Sequence, residues 1–272
     1  MSEKIDVQGH RGCRGLMPEN TISGFLKAIE IGVDTLELDI AISKDHKVIV
    51  THEPFMSRKI CLDPNGNEIP KEDDKKYNLY EMTYEEIKAF DCGTKIHKKF
   101  PKQKKLKAYK PSLDEVIEAC DAVNKNIKYN IEIKAKRKFD GIYTPGPKVF
   151  VELVLQTLKK HSVLHRCNLQ SFDIRVLEEI KIQEPKTRMA ILINTDEKIS
   201  KKLNKLSFKP EIIGPYYKLL DKETTRKFQK QGFKVIPWTV NIADEMREMI
   251  HCNVNGIITD FPDVLLEVLQ KK

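Results

Sequence analysis

Short apolar runs alternating with helical stretches, a run of charged residues at the ends of those apolar runs, and a length of 272 residues predict an α/β fold. Strands alternating with helices build a parallel sheet, and eight such units in this length close it into a (β/α)8 barrel of the TIM type. An open doubly wound sheet is the alternative, but it calls for a Gly-x-Gly-x-x-Gly turn after the first strand. Gly9-His10-Arg11-Gly12 has neither that spacing nor that character. The chain therefore reads as one barrel domain over 1–272, with an insertion at 53–110 after the second strand region.

Residues 5–10 read as a short buried strand that ends in His10. Pro18-Glu19-Asn20-Thr21 starts a helix, with Asn20 or Thr21 as its cap; Ile22, Phe25, Leu26 and Ile29 follow at helical spacing, and Gly32 stops it. From 34 to 42, Leu36, Leu38 and Ile40 alternate with Thr35, Glu37 and Asp39, the period of a strand. A turn at 44–46 leads into a further strand over 47–52, ending in His52.

The alternation then lapses over 53–110, apart from a short helix at 83–90, and this length exceeds an ordinary barrel loop. It resumes with a capped helix at 112–123 and a strand at 127–134. Next come helix 147–160, strand 167–171, helix 173–182, strand 187–193 and a helix around 198–206. Strand 211–214, helix 222–231, strand 234–238, helix 243–251, strand 256–259 and helix 262–269 complete the series.

Composition narrows the function. With a hydrophobic share of 40% the chain can bury a core, and it has no apolar run near the ~20 residues of a membrane span. The N-terminal residues enter a strand without a signal-peptide apolar region, so the expectation is a soluble, cytoplasmic protein. The six cysteines are scattered without a Cys-x-x-Cys pair, which predicts reduced structural thiols. The net charge of +8 is matched by the eight lysines of 95–110, a stretch without acids, and the rest of the chain is near neutral. That run is expected as solvated surface, able at most to steer anionic substrates toward the barrel rim.

In such barrels the chemistry gathers at the C-terminal strand ends. Glu37 and Asp39 lie two apart on one strand and face the same side. Together with Glu132 they form a set of hard oxygen donors that suits one divalent cation, Mg2+ or Ca2+, better than zinc. His10 and His52 each end a strand and can act as a general acid and base. Arg11 and Lys134 bring positive charge suited to a phosphate. Trp238 reads equally as a core residue and as a stacking surface for substrate.

These residues fall into an ordered set: Gly9-His-Arg-Gly12, Pro18-Glu-Asn-Thr21, Glu37-Leu-Asp39, His52, Glu132-Ile-Lys134, Gln170-Ser-Phe172, Trp238-Thr-Val-Asn241 and Gly256-Ile-Ile-Thr-Asp260. In that order and spacing the chain resembles the glycerophosphodiester phosphodiesterases nearly end to end. The resemblance implies a barrel with an insertion after the strand bearing the second histidine. It implies hydrolysis of a small glycerophosphodiester to sn-glycerol 3-phosphate and an alcohol, assisted by a divalent metal. Carried over by position, His10 and His52 are the acid/base pair, and Glu37, Asp39 and Glu132 the metal ligands. Arg11 and Lys134 resemble the phosphate-binding pair, and Gln170 and Trp238 substrate-pocket positions. Glu53 departs from the pattern, since many members carry Asp after the second histidine. The rival readings are a phospholipase C- or D-like phosphodiesterase on the same barrel and a non-catalytic binding protein for an anionic ligand. Neither nucleic-acid binding nor stable membrane insertion is expected.

Overall fold

The computed structural model describes residues 4–270, and its strands close round one another almost completely. Eight run parallel: β1 (Asp6–Gly9), β2 (Thr35–Ile42), β4 (Lys128–Ile133), β5 (Cys167–Ser171), β6 (Arg188–Ile193), β7 (Ile212–Pro215), β8 (Lys234–Val235) and β9 (Gly256–Thr259). The ninth, β3 (Val48–Val50), folds back antiparallel on the end of β2. The ladder runs β8-β7-β6-β5-β4-β2-β1-β9, so first and last barrel strands are neighbours, with Asp6 opposite Gly256. Between β8 and β9 three bonds close the ring: Asn255 N–H to Val235 O (2.9 Å), Ile258 N–H to Pro237 O (3.0 Å) and Val240 N–H to Ile258 O (3.0 Å). β8 is cut to two residues, against the expected 234–238, and Pro237 within that stretch has no N–H to give to a ladder.

Helices cover the outside: α1 (Ile22–Ile31), α3 (Leu113–Val123), α4 (Pro147–Lys160), α5 (Ile174–Gln183), α6 (Ile199–Leu203), α7 (Lys222–Lys230), α8 (Ala243–His251) and α9 (Pro262–Gln270). Their apolar stripes and the outward strand residues, such as Leu36, Leu38, Ile131 and Leu169, make the main core. α1 shows how its local sequence fixes an end. Thr21 accepts from Gly24 N–H at 3.1 Å, and Gly32 closes the helix at φ 103. α6 is shorter than the expected 198–206, because the chain turns off after Leu203.

The barrel interior divides in two. On β6–β9, Ala190, Ile212, Ile236 and Ile258 pack as a small apolar cluster against Trp238. On β1, β2, β4 and β5 the inward residues are polar, in register: Asp39 opposite Glu132, and Glu132 opposite Gln170. Below them Gln8, Asn130 and Asn168 bond side chain to side chain. That polar half is what positions the site.

Residues 53–110 carry α2 (Tyr84–Lys88) and a separate apolar cluster, with Phe55, Met56, Leu79, Ile87 and Phe90 packed on Ala41 and Ile49 of β2 and β3. Two expectations are corrected in this segment. Cys61 and Cys92 form a disulfide, leaving Cys13, Cys120, Cys167 and Cys252 as free, buried thiols. A spacing of 31 positions gave no hint of the pair. The lysine run is also not uniformly solvated, since Lys110 is 5% exposed. No helix among the described residues is long and apolar enough to cross a membrane.

Candidate active site

The first strand ends in a tight turn made possible by two glycines. Gly12 N–H returns to Gly9 O at 3.2 Å, and a Cβ on Gly9 would stand 2.1 Å from Gly12 O. Arg11 and Gly12 both take left-handed backbone, at φ 51 and 89. This turn aims Arg11 N–H at Glu37 Oε2, 3.0 Å away. The Arg11 guanidinium reaches Glu19 Oε1 at 2.8 Å, and its Nε lies 3.0 Å from Asp39 Oδ2 as an ion pair without hydrogen-bond alignment.

Glu37, Asp39 and Glu132 converge as the strand register requires, with one oxygen from each within 4.8 Å of the others. Their charges are unequal. Burial and the like charges of Asp39 and Glu132 push the Glu37 carboxyl well above its ordinary value. Burial also raises Glu132, against the pull of Lys134. Asp39 is held well below its usual range, because Lys134 and Arg11 outweigh the effect of burial. Lys134 Nζ stands 2.8 Å from Glu132 Oε1 and 3.1 Å from Asp39 Oδ1.

The donor set fits a hard divalent cation. It is all oxygen, it crowds like charge that a cation would relieve, and Asp39 Oδ1 lacks a hydrogen bond although buried. Asn20 fixes the other Asp39 oxygen, donating from Nδ2 at 3.0 Å. Thus Thr21 alone caps α1, and Asn20, at φ 53, turns inward instead.

His10 lies on the same rim, 8% exposed. Its Nδ1 is 2.7 Å from Asp260 Oδ1 and its Nε2 is 3.8 Å from Glu37 Oε2. Burial pulls His10 down to about 4, a shift that Asp260 opposes and Arg14 reinforces. Asp260 itself is held far below the usual carboxylate range, since His10 and Arg14 outweigh its burial. Arg14 grips it with two bonds, at 2.8 and 3.0 Å, and Asn241 adds a third at 2.7 Å. An ionised Asp260 accepts the Nδ1 proton and leaves Nε2 as a free lone pair.

His52 follows β3. Its Nδ1 is 2.8 Å from Glu53 Oε1, so the glutamate at the departure from the family pattern reaches the imidazole. Burial and the charges of Lys134 and Arg11 push His52 below its ordinary value. His52 and Glu53 form a wall shared by two cavities, of about 750 and 980 Å3.

Gln170 donates from Nε2 to Glu37 Oε1 at 3.0 Å, so its amide is engaged with the carboxylates. Trp238 gives its indole N–H to Gly214 O at 2.7 Å and meets Phe172 edge-on at 5.4 Å. Sequence reading gave no role to Glu19, Arg14 or Asp260, although Glu19 and Asp260 stand in the quoted motifs. Their partners are 8 to 250 positions away, so no local pattern could reveal the pairing.

The sequence profile described as the glycerophosphoryl diester phosphodiesterase family matches residues 10–264. A glycerophosphodiester phosphodiesterase of Caldanaerobacter subterraneus subsp. tengcongensis is 31% identical over 98% of this chain and 99% of that protein. A solved structure from Silicibacter pomeroyi DSS-3 superposes with a TM-score of 0.90 at 26% identity, covering 100% of this chain and 95% of that one. An Oleispira antarctica phosphodiesterase, solved in complex with its product sn-glycerol-3-phosphate, shares the fold with a TM-score of 0.77 at 18% identity, over 97% and 96% of the two chains.

Proposed function

The chain belongs to the glycerophosphoryl diester phosphodiesterase family, and we propose that it hydrolyses glycerophosphodiesters to sn-glycerol 3-phosphate and an alcohol with His10 and His52 as the acid/base pair. It is an enzyme of the phosphoric diester hydrolase class, and its substrate is a small molecule. Residues 1–272 act as one domain in this reading, with 53–110 as a segment inserted in it. The observation that carries the reading is the convergence of three strand carboxylates within 4.8 Å beside a histidine whose Nε2 is free, 3.8 Å from Glu37.

Glu37, Asp39 and Glu132 would hold one Mg2+ or Ca2+, which would supply Lewis-acid neutralisation of the phosphoryl oxygens. Arg11 and Lys134 hold the phosphate and offset charge that builds up during displacement. His10, with its Nδ1 proton fixed on Asp260, removes a proton through Nε2 from the attacking hydroxyl, either water or the glycerol 2-hydroxyl. His52, oriented by Glu53, delivers a proton to the leaving alcohol. Trp238 and Gln170 belong to the substrate side of the pocket in this reading, with Trp238 and Phe172 offering the aromatic face.

The test is release of sn-glycerol 3-phosphate from glycerophosphocholine, -ethanolamine, -glycerol and -inositol, with and without EDTA. Turnover that EDTA abolishes and Mg2+ or Ca2+ restores is expected. Failure on every diester overturns the reading, and turnover indifferent to EDTA removes the metal from it. Cleavage of intact phospholipid in preference to these diesters would favour the phospholipase-like alternative.

A further inference from the structure

Of the two cavities that share the His52–Glu53 wall, one is close to neutral and the other is strongly cationic. The smaller is lined by six basic and five acidic side chains, with Phe139 and Phe172 among its walls. The larger, formed with the inserted segment, is lined by eight basic side chains against three carboxylates, with Ile60, Leu62 and Ile96 beside them. Arg11 and Arg14 spend their charge on Glu19, Asp39 and Asp260, and Lys95 and Arg58 have Glu68 and Asp74 within reach. Lys59, Lys98, Lys99 and Lys110 form no ion pair at all, among the described residues.

Lys110 is the unusual one. It is 5% exposed, it lines this cavity, and its ammonium makes a single hydrogen bond, to Thr51 Oγ1 at 2.7 Å. An ammonium has three donors, and leaving two unmet in a buried site is costly unless an anion completes them. Burial pulls its pKa down to about 8, against the charges of Glu19, Glu53 and Asp39, none of which pairs with the ammonium directly.

A glycerophosphodiester has two arms beyond its phosphate. The glycerol arm is uncharged and matches the near-neutral cavity, so the cationic cavity faces the alcohol. We propose that this cavity seats the leaving alcohol and selects alcohols that bear a second phosphate, held by Lys110 from below and by Lys59, Lys98 and Lys99 at the mouth. The proposal rests on the phosphodiesterase reading above and narrows its substrate class. The reaction is unchanged: water adds across the P–O bond to the alcohol, and the second phosphate leaves with that alcohol intact.

The experiment compares kcat/KM for glycerophosphoinositol and glycerophosphoinositol 4-phosphate, a pair differing by one phosphate. Charge-assisted hydrogen bonds contribute about 1.5–3 kcal/mol, so the phosphorylated substrate is expected to be favoured by roughly tenfold or more. Lys110→Met and the double variant Lys98→Gln/Lys99→Gln should each draw that ratio toward one. The double variant changes exposed positions only, so it decides the matter if Lys110→Met fails to fold. A wild-type ratio of one or less, with glycerophosphoinositol still hydrolysed, overturns this proposal and leaves the phosphodiesterase reading standing. Hydrolysis of neither substrate sinks both. Sedimentation with phosphatidylglycerol vesicles, together with a ratio near one, would make the lysines a membrane contact and overturn the subsite.

Discussion

His10 is kept neutral chiefly by burial, and the sign of its pH effect follows. Its pKa falls from 6.5 to about 4 on folding. Between those values the unfolded chain binds a proton that the folded chain refuses, so stability is full above pH 6.5 and is lost as pH falls through about 4. Thermal melts across that range should show a falling Tm, and His10→Asn, which keeps a donor toward Asp260, should flatten part of the slope. An unaltered slope in that variant would place the effect elsewhere. For turnover, His10→Ala and His52→Ala should each lower kcat by about 10²-fold or more, the usual cost of removing a general acid or base. Steady-state assays on well-folded variants check this, and near-normal kcat in either removes that histidine from its role.

At the level of elements, periodicity revealed where strands and helices lie but not how they pair. Of the strand expected over 47–52, Val48–Val50 forms β3, which runs antiparallel and lies outside the ring; the period of two is the same for either direction and could not show this. The carboxylate site was legible for the same reason. Glu37 and Asp39 share a face on any strand, and a parallel barrel brings Glu132 alongside. Asn20 was not legible, since an asparagine before a helix looks like a cap whether or not it turns toward Asp39. Lys110 was hidden by its company in a run of lysines, although Pro111 and the Ser112 cap fix it against Thr51.

The inserted segment carries its own prediction. Its small apolar cluster is closed by Cys61–Cys92 across 31 positions. A crosslink of that span contributes about 3–4 kcal/mol in the chain-entropy account. Cys61→Ser/Cys92→Ser should therefore lower the free energy of unfolding by that order, read from denaturant melts without reductant. If the double variant melts like the parent, the bond has no such share in the segment's stability. Because this segment forms one cavity wall, the parent in reductant should also lose kcat/KM before it loses the barrel's circular dichroism.

Over the whole molecule, charge is distributed with a direction. The excess of +8 equals the eight lysines of 95–110, and four of them, Lys95, Lys98, Lys99 and Lys110, line the larger cavity at the rim. Long-range attraction of this kind is screened over about 8–10 Å at physiological salt. Raising ionic strength should lower kcat/KM while kcat changes little, and the Lys98→Gln/Lys99→Gln variant should respond less steeply. A flat salt response in the parent would remove steering. The interior is divided on the same axis: one half of the barrel is packed with aliphatic side chains and carries stability, the other is filled with carboxylates, amides and imidazole.

The pairing of β1 with β9 sets the order of events in time. The bond between His10 and Asp260 joins residues 250 positions apart, and the β1–β9 ladder spans the same distance. Contacts of such separation carry the largest loop-closure entropy and form slowly. During synthesis His10 is made 250 residues before its orienting carboxylate, which follows the last barrel strand. A partly made or partly refolded chain can therefore bring the carboxylates of Glu37, Asp39 and Glu132 together on β2 and β4 while His10 has no fixed tautomer. Competence for chemistry comes last, with the closing of the ring.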